Sequence, residues 1–434
     1  VSEKLPVALR AYRLLSATAT PLVPLFLAQR LRRGKEHRAR VGERRGEARF
    51  ARPGGPLVWV HGASVGELVA VLPLIERIVG RGIGVLVTSG TVTSGGIAEQ
   101  RLPRGVIHQF VPLDVPRYVR LFLSHWRPDL ALFVESDLWP NMIIEASARG
   151  VPMIVVNGRL SENSFRRWRR LPAMIVNLLG RLDLCLAGTP ADASRFSELG
   201  APRVVTTGNL KFDVPGLPAD RAKLGELQAT IGNRPVIAAA STHAGEETAV
   251  IDAHRRLRGN FPGLLTLIAP RHPERAPGVR ELATVAGLNV ALRSRGERPN
   301  AATEIYVADT MGELGLIYRL APVVFIGGSL VRHGGQNPIE AAKLGAAILH
   351  GPHVWNFAEI YAKLDVAHGA EPVADAGRLT AALAAWLNDP AARARAADAA
   401  RATVDALGGA LERTLQSLEP YLMQLQLRGR ADHA

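Results

Sequence analysis

Cysteine is all but missing from this chain: Cys185 is the only one in 434 residues, so no intrachain disulfide can form and nothing points to an oxidising compartment. An N-terminal apolar run long enough to cross a bilayer is missing too. The uncharged stretch Leu14 to Gln29 has 16 residues, short of the roughly 20 a spanning helix needs, and Pro21 and Pro24 would interrupt it. A secretory signal is disfavoured, because its basic region would come first and no small-residue cleavage site precedes the charged run. There is neither an RNA-binding aromatic motif nor a basic recognition helix, which argues against nucleic acid. Nor is there an Asp-x-Asp pair, so metal-dependent diphosphate-sugar chemistry has no visible ligand set; His350 and His353 sit in a Gly-Pro loop with no partner in the nearby sequence, and no metal is expected.

What is present is positive charge and hydrophobic bulk. The net charge is +14 and 47% of residues are hydrophobic, which describes a globular chain with an anionic partner. Half of that excess lies in one place: Arg30 to Arg52 holds ten Arg or Lys against Glu36, Glu43 and Glu47. An apolar segment followed by a basic one is the pattern of an interfacial anchor, each basic residue contributing about 1 kcal/mol at an anionic surface. The alternatives are a buried amphipathic helix and a true span.

After Pro56 short apolar runs alternate with amphipathic stretches. Strands are predicted at 57–62, 83–90, 106–112, 130–136, 152–158 and 184–189, then at 235–242, 264–270, 304–309, 322–329 and 346–352. The pattern lapses around 209–219, where Pro and Gly mark a connection. Four segments follow: 1–52, membrane-associating and basic; 53–212 and 213–390, two Rossmann-like α/β domains; and 391–434, an Ala-rich helical tail. Two such domains facing a central cleft make the GT-B architecture, with ligands expected at the carboxyl ends of the strands.

The motifs cluster at those ends. In HGASVGE, Glu67 stands in a first helical turn, where a carboxylate acts either as a general base or as a complement to the helix dipole. The same segment fits a nucleophile elbow through Gly62, Ser64 and Gly66, but no earlier strand is available to complete an oxyanion hole. In ALFVESDLWPNMI, Glu135 and Asp137 end an apolar strand, and acids there need partners or solvent. Glu135 is the functional candidate; Asp137 also suits capping of the next helix. Arg159, Ser161, Arg166 and Arg167 follow the next predicted strand, as a phosphate-binding cluster for an acceptor together with Ser64, or as a solvated basic face. In the second half, Arg271 and His272 follow a strand. Asn337 and Pro338 read as N-cap and first helical residue, with Glu340 at capping-box spacing, and the amides near Gly327, Gly328, Gly334 and Gly335 would suit a nucleotide phosphate. In DTMGEL, Glu313 is placed to accept from ribose hydroxyls.

SVGE, PLD, ESDLWPN, NGRLS, NLKFD, STHAGEE, APRHPER, DTMGEL, GGSLVRHGGQNPIEAA and GPHVWNF stand in the order seen in the bacterial 3-deoxy-D-manno-octulosonic acid (Kdo) transferases, and the chain resembles that family almost throughout. The resemblance implies an inverting, metal-independent GT-B enzyme that moves Kdo from CMP-Kdo to a phosphorylated lipid A precursor in lipopolysaccharide biosynthesis. It would work at the cytoplasmic face of the inner membrane and need no cofactor. By resemblance, Glu67 is the base, and Glu135 and Lys211 stabilise the transition state. CMP contacts carry over to Pro270, Arg271, Met311, Gly312, Glu313, Asn337, Pro338, Ile339 and Glu340. Departures are Asp137 in place of Glu, Gln336 in place of His, and Gly62 and Ala63 before SVGE. Another GT-B nucleotide-sugar enzyme is the nearer alternative, and a non-enzymatic protein binding an anionic surface or nucleic acid the further one.

Overall fold

A computed structural model describes residues 5–431. The chain divides into two compact units, 1–214 with 407–434, and 215–406.

The first unit is built on a seven-stranded, all-parallel sheet. Its strands are β1 (Leu57–His61), β2 (Gly84–Ser89), β3 (Ile107–Phe110), β4 (Leu130–Val134), β5 (Met153–Gly158), β6 (Leu184–Ala187) and β7 (Val204–Thr206), ordered β3-β2-β1-β4-β5-β6-β7. Its strand cores are buried on both faces, as continuous apolar runs such as LALFV require. The second unit repeats the plan with β8 (Val236–Thr242), β9 (Leu265–Pro270), β10 (Val290–Leu292), β11 (Ile305–Val307), β12 (Val323–Ile326), β13 (Ala347–His350) and β14 (Ala370–Pro372), ordered β10-β11-β9-β8-β12-β13-β14. Strand order reverses between β1 and β4 in one sheet and between β8 and β12 in the other, and loops leaving such a switch point diverge to leave a crevice. All eleven predicted strands are present. The three additional ones, β7, β10 and β14, are three-residue strands at sheet edges, too short to print a hydrophobic period.

The segment boundaries differ from expectation at both ends. The 391–434 tail is not one piece: helix Pro390–Ala406 belongs to the second unit, whereas Ala410–Ala431 returns to the first, where Leu415, Leu418, Leu422 and Leu425 join the core beneath β1, β4 and β5. The N-terminal 52 residues are likewise part of the first unit. Helices Val7–Thr18 and Val23–Arg32 bury Leu9, Val23 and Leu27 against it.

The basic segment is only partly a surface. Arg40, Arg44, Glu36 and Glu43 are buried. Arg40 forks onto Glu43 at 2.8 and 3.0 Å and reaches Glu99 at 3.0 Å; Arg44 pairs with Glu36 at 2.9 Å and donates to the carbonyls of Gly90 and Val111. Glu43 also accepts from Phe110 N, at the end of edge strand β3. Burial, with the Arg40 and Arg44 charges added, pushes the neighbouring His108 imidazole down to about 3, so the ring stays neutral in this cationic cluster. The two arginines and two glutamates cancel, which leaves the segment's positive excess on its remaining residues. Glu43→Gln leaves Arg40 under-compensated in the interior and is expected to cost about 3–5 kcal/mol, read from urea unfolding.

Candidate active site

In the first unit the switch point gathers three carboxylates. Ser64 caps helix Val65–Val79 with extended backbone, its Oγ accepting from Glu67 N at 3.3 Å. The Glu67 carboxylate reaches back to accept from Ala63 N and Ser64 Oγ, both at 2.8 Å. Glu67 thus closes back on the turn before its helix, through the Ala63 amide and not through the N-cap amide of a capping box, and this fixes the carboxylate with no ion-pair partner among the described residues. Burial pushes the Glu67 carboxyl above its usual range; Ser64 and Ala63 pull against this, and the Glu135 and Asp137 charges add to it.

Glu135 leaves β4 with φ of 61°, a left-handed conformation that costs a non-glycine residue about 1 kcal/mol or more. The turn sends its side chain to Lys211 Nζ at 2.8 Å. Lys211 is itself placed by a 3-10 turn, Leu210–Phe212, whose amides are held by Asn209 Oδ1 and by Asn157 Oδ1, and Asn157 too is left-handed, at 53°. Asp137 does not cap the next helix, as its position in the sequence had allowed. The first amides of helix Pro140–Ser147 donate instead to Asp114, the acid of PLD, and Asp137 accepts from His61 at 3.1 Å. The fully buried His61 has Thr88 Oγ1 on its other nitrogen; since the Asp137 carboxylate only accepts, His61 Nε2 carries a proton, and on a singly protonated ring Nδ1 accepts from the Thr88 hydroxyl, which in turn accepts from Trp59 Nε1. Burial alone would raise the Asp137 carboxyl, but the His61 contact, with Trp139, holds it below its ordinary range.

The structure brings Glu67, Glu135, Asp137 and Lys211 together. The acceptor candidates are more dispersed: Ser64 is used as a cap, Arg159 is exposed after β5, Ser161 caps helix Glu162–Arg169, and on that helix Arg166 pairs with Glu162 and Arg167 is exposed.

In the second unit the expected phosphate cradle is altered. Glu246, 1% exposed, accepts from the amides of His243, Gly328, Ser329 and Leu330 at 2.7–2.9 Å. The amides of the glycine turn after β12 are therefore taken by a carboxylate of the protein itself. The helix beyond is the five-residue Ile339–Lys343, with Pro338 in the cap position instead of the first turn, and Asn337 Oδ1 accepts from Ile339 N at 3.0 Å. Pro270 ends β9, and the Arg271 side chain is exposed beside it. Met311 and Gly312 are exposed. Glu313, expected to meet ribose hydroxyls, is already bonded to Arg293, Thr310 and Lys223, and the Arg293 bond, ahead of the others, brings its carboxyl down to about 2. His350 bonds Asp365 and the Gly351 carbonyl. Glu246, Asp114 and His61 carry the sites, yet sequence reasoning missed them; the only signal was their place in the blocks STHAGEE, PLD and HGASVGE.

Two doubly wound α/β units, each with chemistry at its switch point, define the GT-B class of sugar-nucleotide enzymes. A UDP-GlcNAc 2-epimerase from Neisseria meningitidis has this fold, with a TM-score of 0.57 at 13% identity over 84% of this chain and 100% of that one. The family described as 3-deoxy-D-manno-octulosonic-acid transferase (kdotransferase) matches residues 37–214. Two relatives named 3-deoxy-D-manno-octulosonic acid transferase extend the match over nearly everything: one from Haemophilus influenzae, 33% identical over 95% of this chain and 98% of its own, and one from Bordetella pertussis, 37% identical over 95% and 99%. The chain belongs to the 3-deoxy-D-manno-octulosonic acid transferase family.

Glu246→Gln puts an amide donor among four N–H groups and is expected to destabilise the second unit by about 3 kcal/mol, seen as earlier urea unfolding.

Proposed function

We propose that this enzyme transfers Kdo from CMP-Kdo to a hydroxyl of a phosphorylated lipid A precursor, with inversion and without a metal ion. The observation that carries the mechanism is Glu67: a half-buried carboxylate with hydrogen bonds but no cation, beside two acids that have partners of their own. Raised proton affinity is what a general base requires. Glu67 takes the proton of the acceptor hydroxyl as its oxygen attacks the anomeric carbon, and the bond from that carbon to the CMP phosphate oxygen breaks. Lys211, fixed by Glu135, supplies positive charge where negative charge develops. The second unit holds the nucleotide through Pro270 and Arg271, the Met311–Glu313 turn and the Asn337–Glu340 segment. Arg159, Ser161, Arg166 and Arg167, with Ser64, meet the acceptor.

The N-terminal helices support an interfacial site of action. No single described helix is long and apolar enough to cross a membrane; Val7–Thr18 and Thr20–Arg32 pass that test only as a pair bent by 42°. One side packs on the first unit, where Tyr12 bonds Asp114 and Arg13 bonds Glu145, while Leu14, Leu15, Leu22, Leu25 and Phe26 are exposed. Such a packed helix pair suits lying in the cytoplasmic leaflet of the inner membrane better than spanning it.

A single assay tests both halves of the proposal. Purified protein is incubated with CMP-Kdo and a tetra-acylated lipid A precursor in anionic phospholipid vesicles, then floated and analysed by mass. Wild type is expected to float with the vesicles and add mass in steps of one Kdo; Glu67→Gln should float equally and lose at least about 10²-fold in rate. Full activity in the variant removes Glu67 as base, no product from folded wild type removes the donor or acceptor assignment, and failure to float removes the membrane.

A further inference from the structure

At the switch point of the second sheet the loops carry three imidazoles for which the mechanism above has no use. His243 follows β8, His272 follows β9, and His333 lies in the segment after β12. The His243 and His333 rings stack, with centroids 4.1 Å apart and planes at 17°, and His272 meets His243 edge-on at 6.1 Å. The stack depends on Gly328, left-handed at 67°, where a Cβ would come within 3.3 Å of both the His243 ring and the Gln336 amide. Gln336 Nε2 lies 3.3 Å from His243 Nε2; as an amide nitrogen only donates, the neutral ring carries its proton on Nδ1. Beneath them Glu246 ties the His243 amide to the Gly328–Leu330 turn.

Two facts then meet. The glycine-turn amides that would ordinarily receive a phosphate are occupied by Glu246, so an anion arriving at this crevice must be met by side chains. The side chains gathered there are three imidazoles and Arg271, cations or potential cations that repel one another unless an anion is shared among them. The groups facing His243 are His333, His272, Arg271 and Glu246. Burial first, then the His333, His272 and Arg271 charges, hold its imidazole below the usual range against the pull of Glu246. His272 also has Glu274 at 3.8 Å.

We infer that the stacked pair His243 and His333, with His272 at its edge, grips the phosphate of the CMP leaving group, a role that rests on the CMP-Kdo reading above. Phosphate binding favours the protonated form of His243, so nucleotide binding takes up a proton and CMP affinity rises as pH falls from about 8 toward about 6.5, above the second phosphate ionisation near 6. When His243 is protonated, Gln336 turns its carboxamide over so that Oε1 accepts from Nε2–H.

The experiment is calorimetric titration of the full-length protein with CMP and with cytidine at about pH 6.5 and about pH 8. Wild type is expected to bind CMP more tightly at the lower pH. His243→Gln and His333→Gln should each weaken CMP about tenfold at that pH, flatten the pH dependence and leave cytidine binding unchanged. Variants that bind CMP as wild type does at both pH values overturn the inference, as does equal weakening of cytidine, which would make the effect structural. Unchanged CMP binding with a raised KM for CMP-Kdo would move the rings to the sugar carboxylate and overturn the phosphate assignment. Wild type that binds no CMP at either pH would instead overturn the donor reading on which the inference rests.

Discussion

Three carboxylates crowd the carboxyl ends of β1 and β4, and like charges so close cannot all ionise freely in a partly dry site. The fold resolves this by giving two of them fixed partners. Lys211 holds Glu135 and His61 holds Asp137. Glu67 receives hydrogen bonds from a backbone amide and a serine hydroxyl but no ion-pair partner among the described residues, and burial, with the two neighbouring charges, raises its proton affinity. The left-handed turns at Glu135 and Asn157 follow from the same need, since each redirects a strand end so that the acid and the lysine meet.

The second unit answers a different electrostatic problem with a similar device. Its glycine turn after β12 presents several amides in one direction, an arrangement that attracts an anion. Glu246 fills that position, which orders the turn and, on the inference drawn above, leaves the nucleotide's phosphate to side chains that can change their charge. Rigid backbone and titratable side chains are thereby separated into two layers at one switch point.

Much of this was legible in the sequence. Eleven strands could be placed because buried parallel strands print continuous apolar runs, and Glu67 and Glu135 stood out at strand ends, whereas Lys211, in a stretch that reads as a connection, joined them only through the family resemblance. The three edge strands were not legible, being three residues long and lying at the sheet edges. Nor were the partners: that Asp114 and not Asp137 caps Pro140–Ser147, or that Arg40 and Arg44 are interior residues, depends on contacts across 27 to 68 positions that no local period reveals. The C-terminal return was hidden for the same reason. An Ala-rich tail looks uniform, and only the core it meets tells Ala410–Ala431 from Pro390–Ala406.

The central claim, that burial, with the Glu135 and Asp137 charges added, raises the proton affinity of Glu67 and makes it the base, is tested most directly by a 13C NMR titration of the Glu67 side-chain carboxyl, assigned by its loss in Glu67→Gln. The midpoint should lie above the ordinary glutamate value of about 4.3 and fall when Asp137→Asn removes one of the nearby charges. A midpoint at or below the ordinary value, or one indifferent to Asp137, would contradict the account.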